Sequence, residues 1–153
     1  MPLRSPGRPR RPDQEEERRR QLIQAAVDEI AERGFHRATV AGIAGRAGVS
    51  VGLVAFYFGD KDGLLEATLR SLAGDLGRAV GARTAGADDP RQRGQAIIDA
   101  NLSDTQFDRR IITVWLAFWG EVPHQPRYAR VQRVYERRMR SNLAYAIRRL
   151  APR

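Results

Sequence analysis

The chain has 153 residues, 42% of them hydrophobic, enough for one ordinary domain with a real core or for a small domain and part of a second. It contains no cysteine, which excludes disulfide frameworks, thiolate nucleophiles and cysteine-bearing zinc sites, and no apolar run approaches the ~18 residues of a membrane span. With 27 basic against 18 acidic side chains the formal charge is +9 and the isoelectric point about 11.2, pointing to an anionic partner: nucleic acid, or an anionic membrane surface.

Residues 1–17 are expected to form a disordered basic arm. Pro2, Pro6, Pro9 and Pro12 oppose a helix over residues 1–12, Arg4, Arg8, Arg10 and Arg11 stand there without an acid, and too few apolar residues are present to bury. No apolar segment of the secretory kind follows, and the lack of cysteine fits a reducing, cytoplasmic compartment. From Arg18 the pattern changes: Leu22, Ile23, Ala26, Val27, Ile30 and Ala31 recur at helical spacing, with Gly34 as the stop. The acidic run Glu15 to Glu17 complements the positive N-terminus of that helix.

Thr39 is placed to cap a short second helix with Val40, Ile43, Ala44 and Ala47 on its buried face. Gly48 breaks it, Ser50 caps a third helix running to about Tyr57, and Asp60 caps a fourth whose stripe is Leu64, Leu65, Leu69, Leu72, Leu76 and Val80. Gly81 to Pro90 reads as a loop. Three more helices are predicted over 91–104, 108–120 and 126–150, the last with Val131, Val134, Tyr135, Met139, Leu143 and Ile147 along one face. No run alternates with period two over strand length, so the fold class is all-α. Residues 18–62 form the first folded unit, helix four links on, and 63–153 form the second.

The second and third helices, joined by the tight turn Ala47-Gly48-Val49, have the form of a helix-turn-helix, in which the second helix lies in the DNA major groove. Val51, Gly52 and Ala55 are small enough to bring that helix close to base edges, where an apolar side chain meets a thymine methyl. Phe56 belongs to the same surface. Thr39 and Tyr57 can present hydroxyls to phosphates, and Lys61, the only lysine, is a point charge at the start of helix four. The alternative is three packed helices of any small bundle.

The chain from about Arg19 to Leu72 resembles the DNA-binding domain of the TetR family of bacterial transcriptional regulators. The resemblance is carried by Gly34-Phe35, the helix Thr39-Val40-Ala41-Gly42-Ile43-Ala44, the turn Ala47-Gly48-Val49-Ser50, Tyr57-Phe58, Lys61 and Leu64-Leu65. It departs at Ala55, where many relatives have an aromatic residue, which bears on base preference rather than docking. Trp115-Leu116-Ala117-Phe118-Trp119, His124-Gln125-Pro126, Arg137-Arg138 and Ser141-Asn142-Leu143 are similar to the BetI branch of that family. The resemblance implies a repressor of choline uptake and glycine betaine synthesis genes. It further implies a homodimer on a pseudo-palindromic double-stranded operator, released by choline or a related quaternary ammonium compound. The resemblance also implies two last helices that form the dimer interface and close the ligand domain, and these are expected to be missing from a chain that stops at Arg153.

Trp115 and Trp119 are four residues apart and share a helical face with Phe118 beside them, a wall suited to a trimethylammonium group through cation–π attraction. Ordinary core is the alternative use of such a stripe. Asn101, Phe107, Glu121 and Tyr128 are further effector candidates, because their segments neighbour that wall. His36 and His124 are the only histidines and stand outside any metal-ligand spacing, so no metal and no cofactor is expected. The arm could lay arginines in an A·T-rich minor groove or remain a solvated tail. A membrane-surface role for the arginine-rich helix Arg127–Arg149 is a competing class. An enzyme is disfavoured, since no phosphate loop, nucleophile–histidine arrangement or paired carboxylates stand in a convincing context.

Overall fold

The computed structural model describes residues 11–150, whose regular elements are seven helices with no strand among them: α1 (Arg11–Arg33), α2 (Val40–Ala47), α3 (Val51–Phe58), α4 (Lys61–Thr84), α5 (Pro90–Asn101), α6 (Arg109–Glu121) and α7 (Pro126–Leu150). The all-α expectation holds. The first ten residues of the expected arm, including its minor-groove candidates Arg8 and Arg10, lie outside the described residues.

Residues 11–17, expected in the arm, are instead the first turns of α1. Pro12 is harmless in a first turn, where the N–H it lacks would have no intrahelical partner, and Asp13 and the following glutamates place negative charge at the positive end of the helix. Glu17 also pairs with Arg20 at 2.7 Å.

The fourth helix runs past Gly81 to Thr84, a turn beyond the predicted stop. Leu76, Val80 and Thr84 continue the buried stripe. The first two pack against Ile97 and Ala100 of α5, and Thr84 returns its hydroxyl to Val80 O at 2.9 Å. Burial there outweighs the propensity cost of one glycine. At the start of α6 the Asp108 carboxylate accepts from Arg110 N at 2.8 Å, and this bond, reinforced by the Arg110 guanidinium, holds its pKa below the usual carboxylate range.

One hydrophobic cluster, Leu22, Ala25, Ala26, Ile43, Ala44, Val54 and Leu64, holds α1 to α4 together. A second joins Val27, Ile30 and Ala38 to Leu65, Leu69 and Leu72 of α4, Val114, Trp115 and Phe118 of α6, and Tyr128 and Val131 of α7. The core is therefore continuous across the expected division at residues 62 and 63, with α4 contributing to both sides.

Candidate nucleic-acid interface and effector region

The corner between α2 and α3 is fixed by backbone hydrogen bonds. Gly48 takes the left-handed conformation (φ 65°), its N–H reaching Gly45 O at 3.2 Å, while Val49 N–H reaches Ala44 O at 3.0 Å. This paired closure ends a helix with its carbonyls satisfied and needs a residue free of the Cβ penalty at positive φ. Ser50 then caps α3, its hydroxyl accepting from Leu53 N at 3.2 Å, and the two helices meet at a bend of 104°. That is the angle and turn length of a helix-turn-helix. Thr39 caps α2 in the same way, accepting from Gly42 N at 3.0 Å. Both hydroxyls act as acceptors and keep a proton to donate outward.

Only Val54 of α3 is buried. Val51 is 49% and Phe56 77% exposed, and Gly52 and Ala55 share that outward face. A Cβ on Gly52 would meet nothing nearer than Ser50 Oγ at 3.9 Å, so no contact among the described residues requires glycine there. Tyr57 and Phe58 are half-buried against the helix-turn-helix core. Lys61 follows at the first turn of α4, half-buried and without an ion pair among the described residues.

Three features hold this unit that the sequence reading did not single out. Glu29 of α1, 2% exposed, accepts from Arg46 of α2 at 2.5 Å, and Arg46 also reaches Glu32. These bonds push the guanidinium pKa up further. Gly42 makes the approach possible, since a Cβ there would stand 2.2 Å from Glu29 Oε1. Gly63 does the same for α3 and α4, because its Cβ would fall 2.1 Å from Phe58 O. Finally, Arg19 of α1 reaches Tyr57 O at the end of α3. Arg19 sits within an arginine run, and nothing in its spacing separates it from its solvated neighbours Arg18 and Arg20.

The effector candidates fall into separate places. Trp115 and Trp119 do share a face, with ring centroids 5.9 Å apart, and Tyr135 of α7, seen in the sequence only as part of a stripe, extends the row at 5.6 Å from Trp115. Trp115 is 7% and Trp119 49% exposed, so the row has one open end. Phe118 and Tyr128 face the other way, at 0% and 1% exposure, and pack with Phe35, which leaves neither ring a surface to offer a ligand. Burial, then the nearby carboxylates of Asp62 and Glu121, pushes the Tyr128 phenol well above its ordinary pKa. Glu121 lies 3.1 Å from His36 Nε2 in the loop before α2. Asn101 donates to Ile97 O of its own helix at 2.8 Å, and Phe107 stands 58% exposed between α5 and α6.

None of these seven lines the cavity of about 630 Å³ between α4 and α7. That cavity has Ala73, Leu76, Val131, Tyr135 and Met139 as its apolar wall, Glu66 as its carboxylate, and Arg70, Arg78, Arg130 and Arg138 around it. Tyr135 alone belongs both to the cavity and to the aromatic row. Among the described residues no group of three His, Asp or Glu is placed to hold a metal ion.

Geometry of this kind defines a helix-turn-helix DNA-binding regulator, and the likeness to known proteins narrows it. Residues 22–68 match the bacterial regulatory proteins of the tetR family, and residues 90–153 match the C-terminal part of BetI-type transcriptional repressors. The HTH-type transcriptional regulator BetI 1 of Chromohalobacter salexigens is 48% identical over 137 residues, covering 89% of this chain and 68% of its own length. BetI of Klebsiella pneumoniae is 49% identical over 138 residues, covering 89% and 71%. Among solved structures, a transcriptional regulator from Pseudomonas aeruginosa superposes with a TM-score of 0.81 at 31% identity, over 89% of this chain and 66% of that one. A regulator from Saccharomonospora viridis in complex with choline superposes with a TM-score of 0.78 at 26% identity, over 87% and 69%. The chain belongs to the TetR family of DNA-binding transcriptional regulators, with a C-terminal part of the BetI type.

Proposed function

We propose that the protein is a cytoplasmic repressor that binds a pseudo-palindromic operator as a homodimer, reads bases with the outward face of α3, and is released by choline or a related quaternary ammonium compound. The genes it controls are those of choline uptake and glycine betaine synthesis. Catalysis has no part in this role. The observation that carries the reading is the face of Val51, Gly52, Ala55 and Phe56, exposed among the described residues on a helix set at 104° to α2. Thr39, Ser50, Tyr57 and Lys61 flank it as phosphate contacts.

For the effector, the row Trp119, Trp115 and Tyr135 is the part suited to a trimethylammonium group, each ring contributing roughly 0.5–2 kcal/mol according to its desolvation. The arginines around the α4–α7 cavity repel a cation, so the trimethylammonium group is assigned to the open end of the row at Trp119. Phe118, Tyr128 and Glu121 serve this site indirectly, joining α6 and α7 to the loop before α2. The same arginines favour a second reading, a regulator of this family answering an anionic small molecule in that cavity.

Titrating choline into the protein–operator complex separates the two. Choline should release the operator, and Trp119→Ala should raise the concentration for half-release by about 2- to 30-fold, the factor that 0.5–2 kcal/mol represents. Operator binding indifferent to choline in the native chain would remove the first reading and leave the second.

A further inference from the structure

Arg19 ties α1 to the recognition helix. Its Nη1 donates to Tyr57 O at 2.7 Å across 38 positions of sequence, and its guanidinium carbon lies 4.6 Å from the centroid of the Phe58 ring. Arg19 thus holds the last turn of α3 through both a backbone carbonyl and an aromatic ring. Among the described residues the N–H groups that follow α3 go elsewhere, Gly59 N–H to Ala55 O and Asp60 N–H to Phe58 O. A cation at a helix C-terminus is also favourably placed against the macrodipole.

The contact matters because α3 is short. Eight residues with one buried side chain do not hold a helix or its direction alone; neighbouring elements must do so. We propose that Arg19 is a positioning residue for DNA reading: it sets the angle at which α3 presents Val51, Gly52, Ala55 and Phe56, without itself touching DNA. The proposal rests on the reading of α3 as the helix that meets base edges. Base readout depends on sub-ångström alignment of that face, whereas attraction to phosphates survives a small tilt, so the loss falls on specificity.

The test uses the whole chain with two duplexes, one carrying the operator from upstream of its own gene and one scrambled, over a range of salt. Arg19→Met keeps the stem and removes donor and charge; Arg19→Lys keeps the charge but cannot both reach the carbonyl and lie flat on the ring. Arg19→Met should lower operator affinity about tenfold, the loss of one charge-assisted hydrogen bond, and change scrambled-duplex affinity by less than about twofold. Arg19→Lys should fall between, and it carries the test alone if the Met variant does not fold. Equal losses on both duplexes, with a salt slope smaller by about one, would make Arg19 a phosphate contact and overturn the proposal. Unchanged discrimination by both variants would overturn it as well. A native chain that does not distinguish the duplexes would instead overturn the reading of α3.

Discussion

Phe35, in the loop leading into α2, stands edge-on to Phe118 of α6, with ring centroids 5.3 Å apart and planes at 78°. Tyr128 of α7 closes the group, its ring 5.4 Å from Phe118 and 6.0 Å from Phe35. The loop before α2 and the helices α6 and α7 thus meet where the helix-turn-helix begins. Around them Arg110 reaches Asp28 at 3.1 Å and Arg127 reaches Asp60 at 3.6 Å, tying α6 to α1 and α7 to the cap of α4. These exposed pairs add little stability individually; the aromatic contact is what joins the two parts.

Phe118→Ala is accordingly expected to lower unfolding free energy by about 3–5 kcal/mol, measured by urea denaturation, as for a fully buried phenylalanine. A variant of native stability that had lost only its response to choline would place Phe118 in the effector site instead.

Gly63→Ala reverses the usual sign of a helical glycine substitution. In an open helix position the change stabilises by up to about 1 kcal/mol. Here the new Cβ meets the Phe58 carbonyl, which is backbone and cannot swing aside, so a loss of about 1–3 kcal/mol is expected in the same assay. The displaced end of α3 should weaken operator binding as well.

Gly52→Ala gives the opposite pair of results. The helix has room for the methyl group, and thermal stability should hold or rise by up to about 1 kcal/mol. Operator affinity should nevertheless fall in a gel-shift titration if, as proposed, this face of α3 approaches the bases. Unaltered affinity would move the contact face away from Gly52.

Lys61→Ala should weaken operator and scrambled duplexes alike and reduce the salt slope by about one. Ala55→Tyr should change which operator is preferred, read out by selection from a randomised duplex pool. The opposite assignment of these two effects would exchange their roles.

Tyr128 links stability to alkaline pH. Its folded-state pKa is raised above the unfolded value, so the neutral phenol's contribution is complete below about pH 10 and is lost as the pH rises above it. The melting temperature of the native chain should therefore fall more steeply between about pH 10 and 11.5 than that of Tyr128→Phe, which has no proton to lose. Parallel curves would contradict the burial-driven shift.

The helix-turn-helix was legible because local chemistry specifies it. Thr39, Gly48, Ser50 and Asp60 are capping residues whose roles follow from residue type, and each cap sits where the spacing predicts. The first helix was misjudged at Pro12 for the converse reason: proline is read as a breaker unless its place in the first turn is known. Gly81 misled in the same way, since only the packing of α5 shows that α4 continues through it. The effector region was legible in part. Spacing put Trp115 and Trp119 on one face, but no periodicity shows that Phe118 turns toward Phe35, or that Tyr135 comes from α7 to extend the row. Arg19 and Glu29 are tertiary features altogether, and their partners lie 38 and 17 positions away.

The most direct test of the account is a salt titration of binding to the DNA upstream of the protein's own gene, with a scrambled duplex of equal length alongside. A DNA reader should prefer the upstream duplex at every salt concentration, with nearly parallel slopes, because phosphate contacts are shared while base contacts are not. Equal affinity for both duplexes across the range would contradict it, leaving a basic helical protein that binds polyanions without reading them.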